Sequence, residues 1–424
     1  MAESLRARVV VVGGGPAGLA AATAAAEAGS SVLLVDEATA PGGQIWRPGS
    51  RSQRPASALR WIERLHRSGA QVVSEASVID AVSPERLVVD RRGSRLDVQG
   101  ERLILATGSR ELFLPFPGWT LPGVMGVGGA QALSKTGVSF RGRRVVIAGS
   151  GPLLLPVAAA LARDGAHLVT VAEQAPLTSV LAFAVGLWRQ PSKVIEAARL
   201  RAAFANSAYR TGVWVEKVDG GETVSSVTLT DGSRSWTETC DIVGSSYGLV
   251  PNIELAVWLG CSVLDGAVEV DEDQSTSVDA VFCAGETTGI GGADLALVEG
   301  QIAGLIAAGE GSQSVTLKRQ RRALRRVASR MEESFRPRDE LLSRVEKTTT
   351  ICRCEDVAWG QLDPVSSFRQ AKLYTRVGMG ACQGRVCGAA LQLLEGWQAD
   401  RVRSPHKPCR VGELRVKETP GEAI

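Results

Sequence analysis

Three features of the 424-residue sequence predict an α/β fold made of two similar units and a small cysteine-bearing module. An apolar stretch runs through a glycine turn into an alanine-rich stretch near the N-terminus. The same order returns about 136 residues later, at Gly149 after Gly13. Four of the eight cysteines then fall between Cys352 and Cys387. The chain is too long for one ordinary domain and suits two or three. Its 44% apolar content and 47 glycines fit a glycine-rich α/β protein rather than a disordered or fibrous one. The 48 basic and 45 acidic residues nearly cancel, and aromatics make up only 5%, so no nucleic-acid partner is expected.

In the first unit, residues 8–12 read as a buried parallel strand, residues 16–28 as a helix, and residues 31–35 as a second strand. Gly13-x-Gly15-x-x-Gly18 lies between the first strand and the helix. Gly13 permits the tight turn, Gly15 lets backbone approach a pyrophosphate, and Gly18 permits close helix–strand packing. Pro16 and Ala17 open the helix, whose N-terminus offers free N–H groups and a positive dipole end to phosphates. Asp36, followed by Glu37, ends the second strand 23 residues after Gly13, where a carboxylate can accept ribose hydroxyls. Glycine triplets also open helices that bind nothing. Strand, helix, second strand and acidic terminus in register predict a nucleotide site. Further on, Pro41-Gly42-Gly43-Gln44 forms another glycine turn, and residues 47–55 are polar and arginine-rich. A helix is expected over 58–68 and strands over 71–79 and 87–90. Residues 102–106 read as a buried strand ending in Ala106-Thr107-Gly108.

The second unit repeats the pattern with a strand over 144–148, a helix over 153–163 and a strand over 167–172. Its turn, Gly149-Ser150-Gly151, lacks the third glycine and has Leu154 there, which prevents the closest helix–strand approach. Glu173 ends the second strand, suits a ribose diol and would repel a 2′-phosphate, favouring NAD over NADP. NAD, another adenine nucleotide and an empty site all remain open for this unit.

Residues 267–292 return to strand-and-glycine character, with 278–284 leading into Gly285-Glu286. A helix is expected over 294–308 and a linker over 309–314. Residues 318–330 carry seven basic side chains and read as one exposed helix, most simply a solvated face. His66, His167 and His406 belong to no recognisable acid–base set and are read as surface residues. No redox cysteine pair lies near Gly13–Glu37 or around Lys135–Ser139, which argues against disulfide reduction. The N-terminus has no basic and apolar leader pattern, and no run of about 18 apolar residues occurs, so neither secretion nor a membrane span is expected. A cytoplasmic location is expected.

Cys352-Arg353-Cys354 and Cys382-x4-Cys387 are separated by 27 residues. Four thiolates suit zinc or an iron–sulfur centre. Structural zinc sites more often use C-x2-C knuckles, so C-x-C tilts the choice towards a cluster. Gly378, Gly380, Gly384 and Gly388 leave backbone N–H groups free to face sulfur. Cys240, Cys261, Cys283 and Cys409 are scattered and read as ordinary thiols.

With the Pro41–Gln44, Ala106–Gly108 and Gly285-Glu286 segments, the two units resemble the glutathione- and thioredoxin-reductase-like flavoproteins, whose two Rossmann-like domains bind dinucleotides. That resemblance implies FAD on the first unit. It also implies that a carboxylate after the late glycine, here Glu286 where most members have Asp, contacts the ribityl chain. Nothing marks a His or Cys for covalent attachment, so FAD is expected to be non-covalent. Ile351-Cys-Arg-Cys-Glu-Asp356 and Gly378-Met-Gly-Ala-Cys-Gln-Gly-Arg-Val-Cys-Gly388 resemble the bacterioferritin-associated-ferredoxin type of [2Fe–2S] domain. This implies Cys352, Cys354, Cys382 and Cys387 as ligands.

The segments 103–123 and 289–300 make nearly the whole chain look like the FAD-binding alpha subunit of bacterial opine oxidases, the octopine and nopaline type. The corresponding flavoprotein subunit of hydrogen cyanide synthase and the alpha subunits of proline and D-hydroxyproline dehydrogenases are similar. The resemblance implies a heteromeric oxidoreductase in which a glycine-oxidase-like flavoprotein subunit oxidises the amine, often with FMN at the interface. A small ferredoxin-like subunit can complete such an assembly. The expected boundaries are 1–115 with 248–310 for FAD, 116–247 for the second unit, 311–346 for a basic helical linker, 347–400 for the cluster module and 401–424 for a tail. Two alternatives are a self-contained NADH-dependent ferredoxin-reductase-like protein and a non-catalytic relay or assembly subunit.

Overall fold

The computed structural model describes residues 3–49, 54–188, 190–398 and 402–414, and it is organised around two sheets that carry the two glycine turns. The first sheet contains β1 (Glu3–Val12), β2 (Val32–Val35), β3 (Gln71–Val73), β4 (Ala76–Ser83), β5 (Arg86–Arg91) and β6 (Ser94–Leu105). Their order is β3-β2-β1-β6-β5-β4. β1 runs parallel to β2 and β6, while β4, β5 and β6 form an antiparallel meander. Parallel strands covered on both faces read as unbroken apolar runs, as Val9 to Val12 and Val32 to Val35 do. β6 starts well before the expected residue 102, because its polar first half alternates and pairs β5 through Leu96 and Val98. Helices α1 (Pro16–Glu27) and α2 (Ala56–Ser68) belong to this unit.

From β6 the chain leaves along β7 (Ser109–Glu111) to β8 (Val124–Gly126), α3 (Val127–Lys135), β9 (Arg144–Gly149), α4 (Leu154–Arg163) and β10 (His167–Glu173). Next come α5 (Leu177–Gly186), α6 (Pro191–Ala202) and β11 (Ala208–Thr211). A meander of β12 (Trp214–Gly220), β13 (Val224–Thr230) and β14 (Ser235–Thr239) precedes β15 (Ile242–Ser246). The second sheet is parallel, in the order β11-β10-β9-β15-β8. The chain returns along β16 (Leu249–Pro251), which pairs antiparallel with β7, so both crossings between the sheets lie side by side.

Back at the first sheet lie α7 (Glu254–Trp258), a small hairpin of β17 (Val263–Leu264) and β18 (Ala267–Val268), and β19 (Val281–Cys283), which adds parallel to β6. α8 (Gly292–Ala308) then lies tightly on α1. A Cβ on Gly300 would sit 2.1 Å from the Ala17 carbonyl oxygen, and one on Gly304 would sit 2.3 Å from that of Ala21. The small residues of both helices are therefore packing requirements.

α9 (Val315–Phe335) is longer than the basic stretch predicted and is not merely a solvated helix. It lies against α8, and Arg321 and Arg325 reach inward to the fully buried Glu299. After α10 (Asp339–Leu342) comes the cysteine module, with β20 (Thr350–Cys352), β21 (Val357–Ala358), α11 (Phe368–Thr375) and α12 (Cys387–Glu395). Ile351, Leu362, Phe368, Val377 and Leu391 give it a core of its own. Residues 402–414, ending in α13 (Val411–Leu414), run back over the first sheet, where the His406 N–H donates to the Ile79 carbonyl (3.0 Å). His406 is thus buried rather than a surface residue, and burial pushes its imidazole pKa down to about 4. The remainder of the expected tail lies outside the described residues. Among the described residues, no helix is long and apolar enough to cross a membrane.

Candidate functional site

The first glycine turn is fixed by the sheet beneath it. The Gly13 N–H donates to the Val35 carbonyl and the Ala106 N–H to that of Val12, each at 2.8 Å. Gly13 has φ +101°, and a Cβ there would lie 2.3 Å from the Ala106 carbonyl oxygen. One on Gly18 would lie 1.7 Å from the Gly13 carbonyl oxygen. A Cβ on Gly15 would meet nothing within 4 Å among the described residues, so this face of the turn is open there. α1 begins directly after it, and its first-turn N–H groups at Ala17 and Gly18 lie beyond the reach of any intrahelical carbonyl.

The 41–44 turn closes one side of this opening. The Gly42 N–H donates to the Gly14 carbonyl (2.7 Å), and a Cβ on Gly43 would lie 2.9 Å from the Gly15 Cα. Gln44 is engaged with Arg47 at the surface. Asp36 is only 6% exposed, and its Oδ2 has no hydrogen-bond partner among the described residues. Burial raises its carboxyl pKa, an effect that backbone donors to the carboxylate counter only in part. Glu37 points elsewhere and pairs with Lys407 of the C-terminal segment.

The other predicted segments meet the same turn. Thr107 donates to the Asn252 carbonyl (2.7 Å) and Asn252 returns a bond to the Thr107 carbonyl (2.9 Å). Gly285, at φ +78°, touches α1 so closely that a Cβ would lie 2.6 Å from the Ala17 Cβ. The Glu286 carboxylate accepts from Ser109, and burial raises its pKa.

The residues that brace this turn were not among those the sequence singled out. Glu299 accepts from the Gly285 N–H (3.1 Å) and from Thr288 (3.2 Å), and its other oxygen meets Arg321 (3.1 Å) and Arg325 (2.9 Å). A signal was available: one glutamate interrupts the apolar run of α8, and two arginines one helical turn apart follow on the next helix.

In the second unit, Gly149 would bring a Cβ within 1.7 Å of the Ser246 carbonyl oxygen, so glycine is required there. Gly151, at φ +95°, faces the Phe335 side chain, 3.8 Å from where its Cβ would be. Glu173 is 1% exposed, and its two oxygens accept from the Gly151 and Ala175 N–H groups, each at 2.8 Å. Burial pushes its pKa up to about 7 despite those bonds.

Cys352, Cys354, Cys382 and Cys387 line one cleft of about 320 Å³, together with Arg110, Glu111 and Trp119. Cys352 and Cys387 are buried, Cys382 is half-buried and Cys354 is exposed. Cys354 and Cys382 interact directly, as do Cys352 and Cys387. A Cβ on Gly380 would lie 2.2 Å from that of Cys354. Burial would raise the Cys382 thiol, but N–H groups of Val386, Gly384 and Arg385 and the Cys354 thiol bring it below its usual range. Among the described residues, no three His, Cys, Asp or Glu side chains converge on a ready-made metal position. The module is fastened to the first unit by Arg385. Its carbonyl accepts from Arg110 (3.0 Å) and its guanidinium lies 3.7 Å from Glu254, which also pairs with Arg110 at 2.9 Å. Trp119 of the second unit donates to the Thr350 carbonyl (2.6 Å).

Residues 7–308 match the pyridine nucleotide-disulphide oxidoreductase family. The chain is 32% identical to the A subunit of opine oxidase from Rhizobium meliloti (strain 1021), over 96% of this chain and 97% of that protein. The hydrogen cyanide synthase subunit HcnB of Pseudomonas protegens is 31% identical, over 96% of this chain and 94% of its own length. Among solved structures, L-proline dehydrogenase from P. horikoshii matches with a TM-score of 0.71 at 21% identity, covering 98% of this chain and 81% of that one. Thioredoxin reductase from T. acidophilum, at 20% identity, covers 72% of this chain and 99% of its own with a TM-score of 0.55. These structural likenesses show a shared fold.

Proposed function

The chain belongs to the pyridine nucleotide-disulphide oxidoreductase family, as a flavoprotein oxidoreductase related to the opine oxidase A subunit and to HcnB, and from that premise we propose a specific role. It is the FAD- and [2Fe–2S]-carrying electron-transfer subunit of a heteromeric dehydrogenase that oxidises the C–N bond of a secondary amine or amino acid. Substrate is oxidised on a partner glycine-oxidase-like flavoprotein subunit, with FMN at the interface and a small ferredoxin-like subunit as a further member. The observation that carries this reading is the fastening of the four-cysteine module to the flavin unit through Arg385, Arg110 and Glu254. Such a contact suits a centre that receives electrons from the neighbouring unit.

FAD fits the first turn. The open face of Gly15 leaves room for a pyrophosphate, and the unpartnered Asp36 Oδ2 can accept from a ribose hydroxyl. Gly13 and Gly18 shape the turn, Gly43 walls it, and Glu286 with Ser109 lies at the Gly285 end. A [2Fe–2S] cluster fits Cys352, Cys354, Cys382 and Cys387, because four soft thiolates surround one cleft and backbone N–H groups already converge on the Cys382 sulfur. Two irons spread four ligands more widely than one metal ion does. The cofactors supply the redox chemistry, taking a two-electron equivalent and passing single electrons. The protein holds the two centres in adjoining units, and Arg385 fixes the loop between them. Free thiols of this kind suit a cytoplasmic setting.

The reading is tested by mixing the anaerobic, flavin-loaded chain with octopine, nopaline, proline, hydroxyproline or glycine and following flavin absorbance. No rapid bleaching is expected without the partner flavoprotein, and bleaching is expected once it is added. Rapid bleaching of the isolated chain by any of these would reject a partner-borne substrate site.

A further inference from the structure

We infer that the second glycine turn is closed by the chain itself: the Phe335–Arg336 turn at the end of α9 occupies the approach that a dinucleotide needs, and NAD(P)H does not enter. The inference concerns a different site from the proposed flavin site and does not depend on it.

The two turns differ first in how their helices begin. α1 starts at Pro16, directly after Gly15, whereas α4 starts at Leu154, three positions after Gly151. Leu154 is buried in the core of the second unit and cannot sit as close to the strand as a glycine would. The intervening residues form a tight turn, in which the Leu154 N–H donates to the Gly151 carbonyl (3.2 Å) and the Leu155 N–H to that of Pro152 (3.3 Å). Pro152 has no N–H to offer, as Pro16 has none in the first turn. The Leu154 and Leu155 N–H groups, which a helix start would present to a pyrophosphate, are thus already used.

The turn is also covered. Where the face of Gly15 is open, that of Gly151 meets Phe335 Cβ and Cγ at 3.8 Å. Ser150 donates to the Phe335 carbonyl (2.6 Å), and the buried Gln174 side chain donates to Ser150 (2.8 Å) and to the Arg336 carbonyl (3.0 Å). The Phe335 ring packs edge-on against Phe183 of α5, 5.2 Å between centroids. The carbonyl groups of the strap therefore take the hydrogen bonds that loop side chains would otherwise offer a ligand. Glu173, the ribose-binding candidate, is turned into the loop and accepts from Gly151 and Ala175.

The strap is not a loose loop. Lys318 pairs with Asp273, Arg322 pairs with Glu272 (2.7 Å), and Arg321 and Arg325 grip Glu299. One end of α9 is thereby tied to the first unit while its other end lies on the second turn. Admitting a nucleotide would require Phe335 to leave both Gly151 and Phe183.

The test is calorimetry of the full, flavin-loaded chain with NADH, NADPH and ATP, alongside hydrogen exchange at residues 330–338. The wild-type chain should give no binding heat at millimolar nucleotide and unchanged exchange at the strap. Phe335→Ala, alone or with Gln174→Ala, should bind NADH at least tenfold more tightly than wild type. Micromolar binding by the wild-type chain, or faster exchange of the strap on adding nucleotide, would overturn the inference. So would a folded Phe335→Ala/Gln174→Ala chain as closed to nucleotide as wild type. Flavin content, read separately by absorbance, reports on the first turn and is unaffected by either outcome.

Discussion

Glu299 and Arg325 form an ion pair of 2.7 Å directly beside the Gly285 turn, with the glutamate side chain wholly inaccessible to solvent. The same carboxylate accepts from the Gly285 N–H, so a basic helix remote in sequence braces the turn that faces α1. A buried carboxylate survives only when its charge is paired and its lone pairs are bonded. Here two arginines, a backbone N–H and a threonine hydroxyl meet that need.

Replacing Glu299 should therefore be costly. Glu299→Ala leaves Arg321 and Arg325 facing an apolar helix, and a loss of about 3 kcal/mol is expected. Glu299→Gln keeps the Gly285 and Thr288 bonds and should lose less. Chemical denaturation of flavin-loaded protein checks both, and equal stability of Glu299→Ala and wild type would show the pair to be incidental.

Two glycines of the first turn should separate folding from flavin binding. Gly15→Val adds a side chain into open space and should give a folded chain without yellow colour. Gly18→Val drives a Cβ into the Gly13 carbonyl, 1.7 Å away, and should fail to fold. A folded Gly15→Val chain with wild-type flavin absorbance would remove the pyrophosphate from this turn.

Glu173 makes stability depend on pH. Its folded pKa of about 7 lies above the usual 4.5, so the folded state holds the proton more tightly than the unfolded state. The unfolded chain then binds fewer protons across that window, and this group's contribution to stability falls as pH rises from about 4.5 to 7 and is flat beyond. Its size is of the order of 3 kcal/mol. Glu173→Gln, which mimics the protonated form, should remove that slope from a series of melting temperatures. An unchanged slope in the variant would assign it to other groups.

Arg385 should hold the cysteine loop to the flavin unit. Arg385→Met removes the contact with Glu254 and the bond its guanidinium donates to the His406 carbonyl. Amide exchange over 384–387 should quicken, and iron should be lost faster to a chelator, with Arg385→Lys in between. Unchanged exchange in Arg385→Met would mean that the loop holds its place without this contact.

Features written in local sequence were the legible ones. The period of residues 8–36 and the spacing of Gly13, Gly15 and Gly18 depend on neighbours a few positions away, and the strands, helix and turn lie there. That the four cysteines share one cleft was legible in part, since C-x-C and C-x4-C keep the thiols of each pair close along the chain, whereas the meeting of the two pairs is long-range. Phe335 over Gly151 was not legible, because nothing near either residue encodes a contact made by opposite ends of separate elements. The basic stretch misled in part: seven cations suggest a solvated face, and the one hint that Arg321 and Arg325 share a buried carboxylate is the glutamate interrupting the apolar run of α8. His406 is buried because the C-terminal segment runs back over the first sheet, a path with no periodic signature.

The most direct measurement of the proposed role is cofactor analysis of the anaerobically purified chain, with flavin, iron and acid-labile sulfide determined on one sample. One non-covalent FAD with about two irons and two sulfides per chain is expected, the iron and sulfide being lost together in a Cys382→Ser variant that keeps its flavin. Zinc in place of iron, or iron and sulfide retained in full by Cys382→Ser, would contradict it.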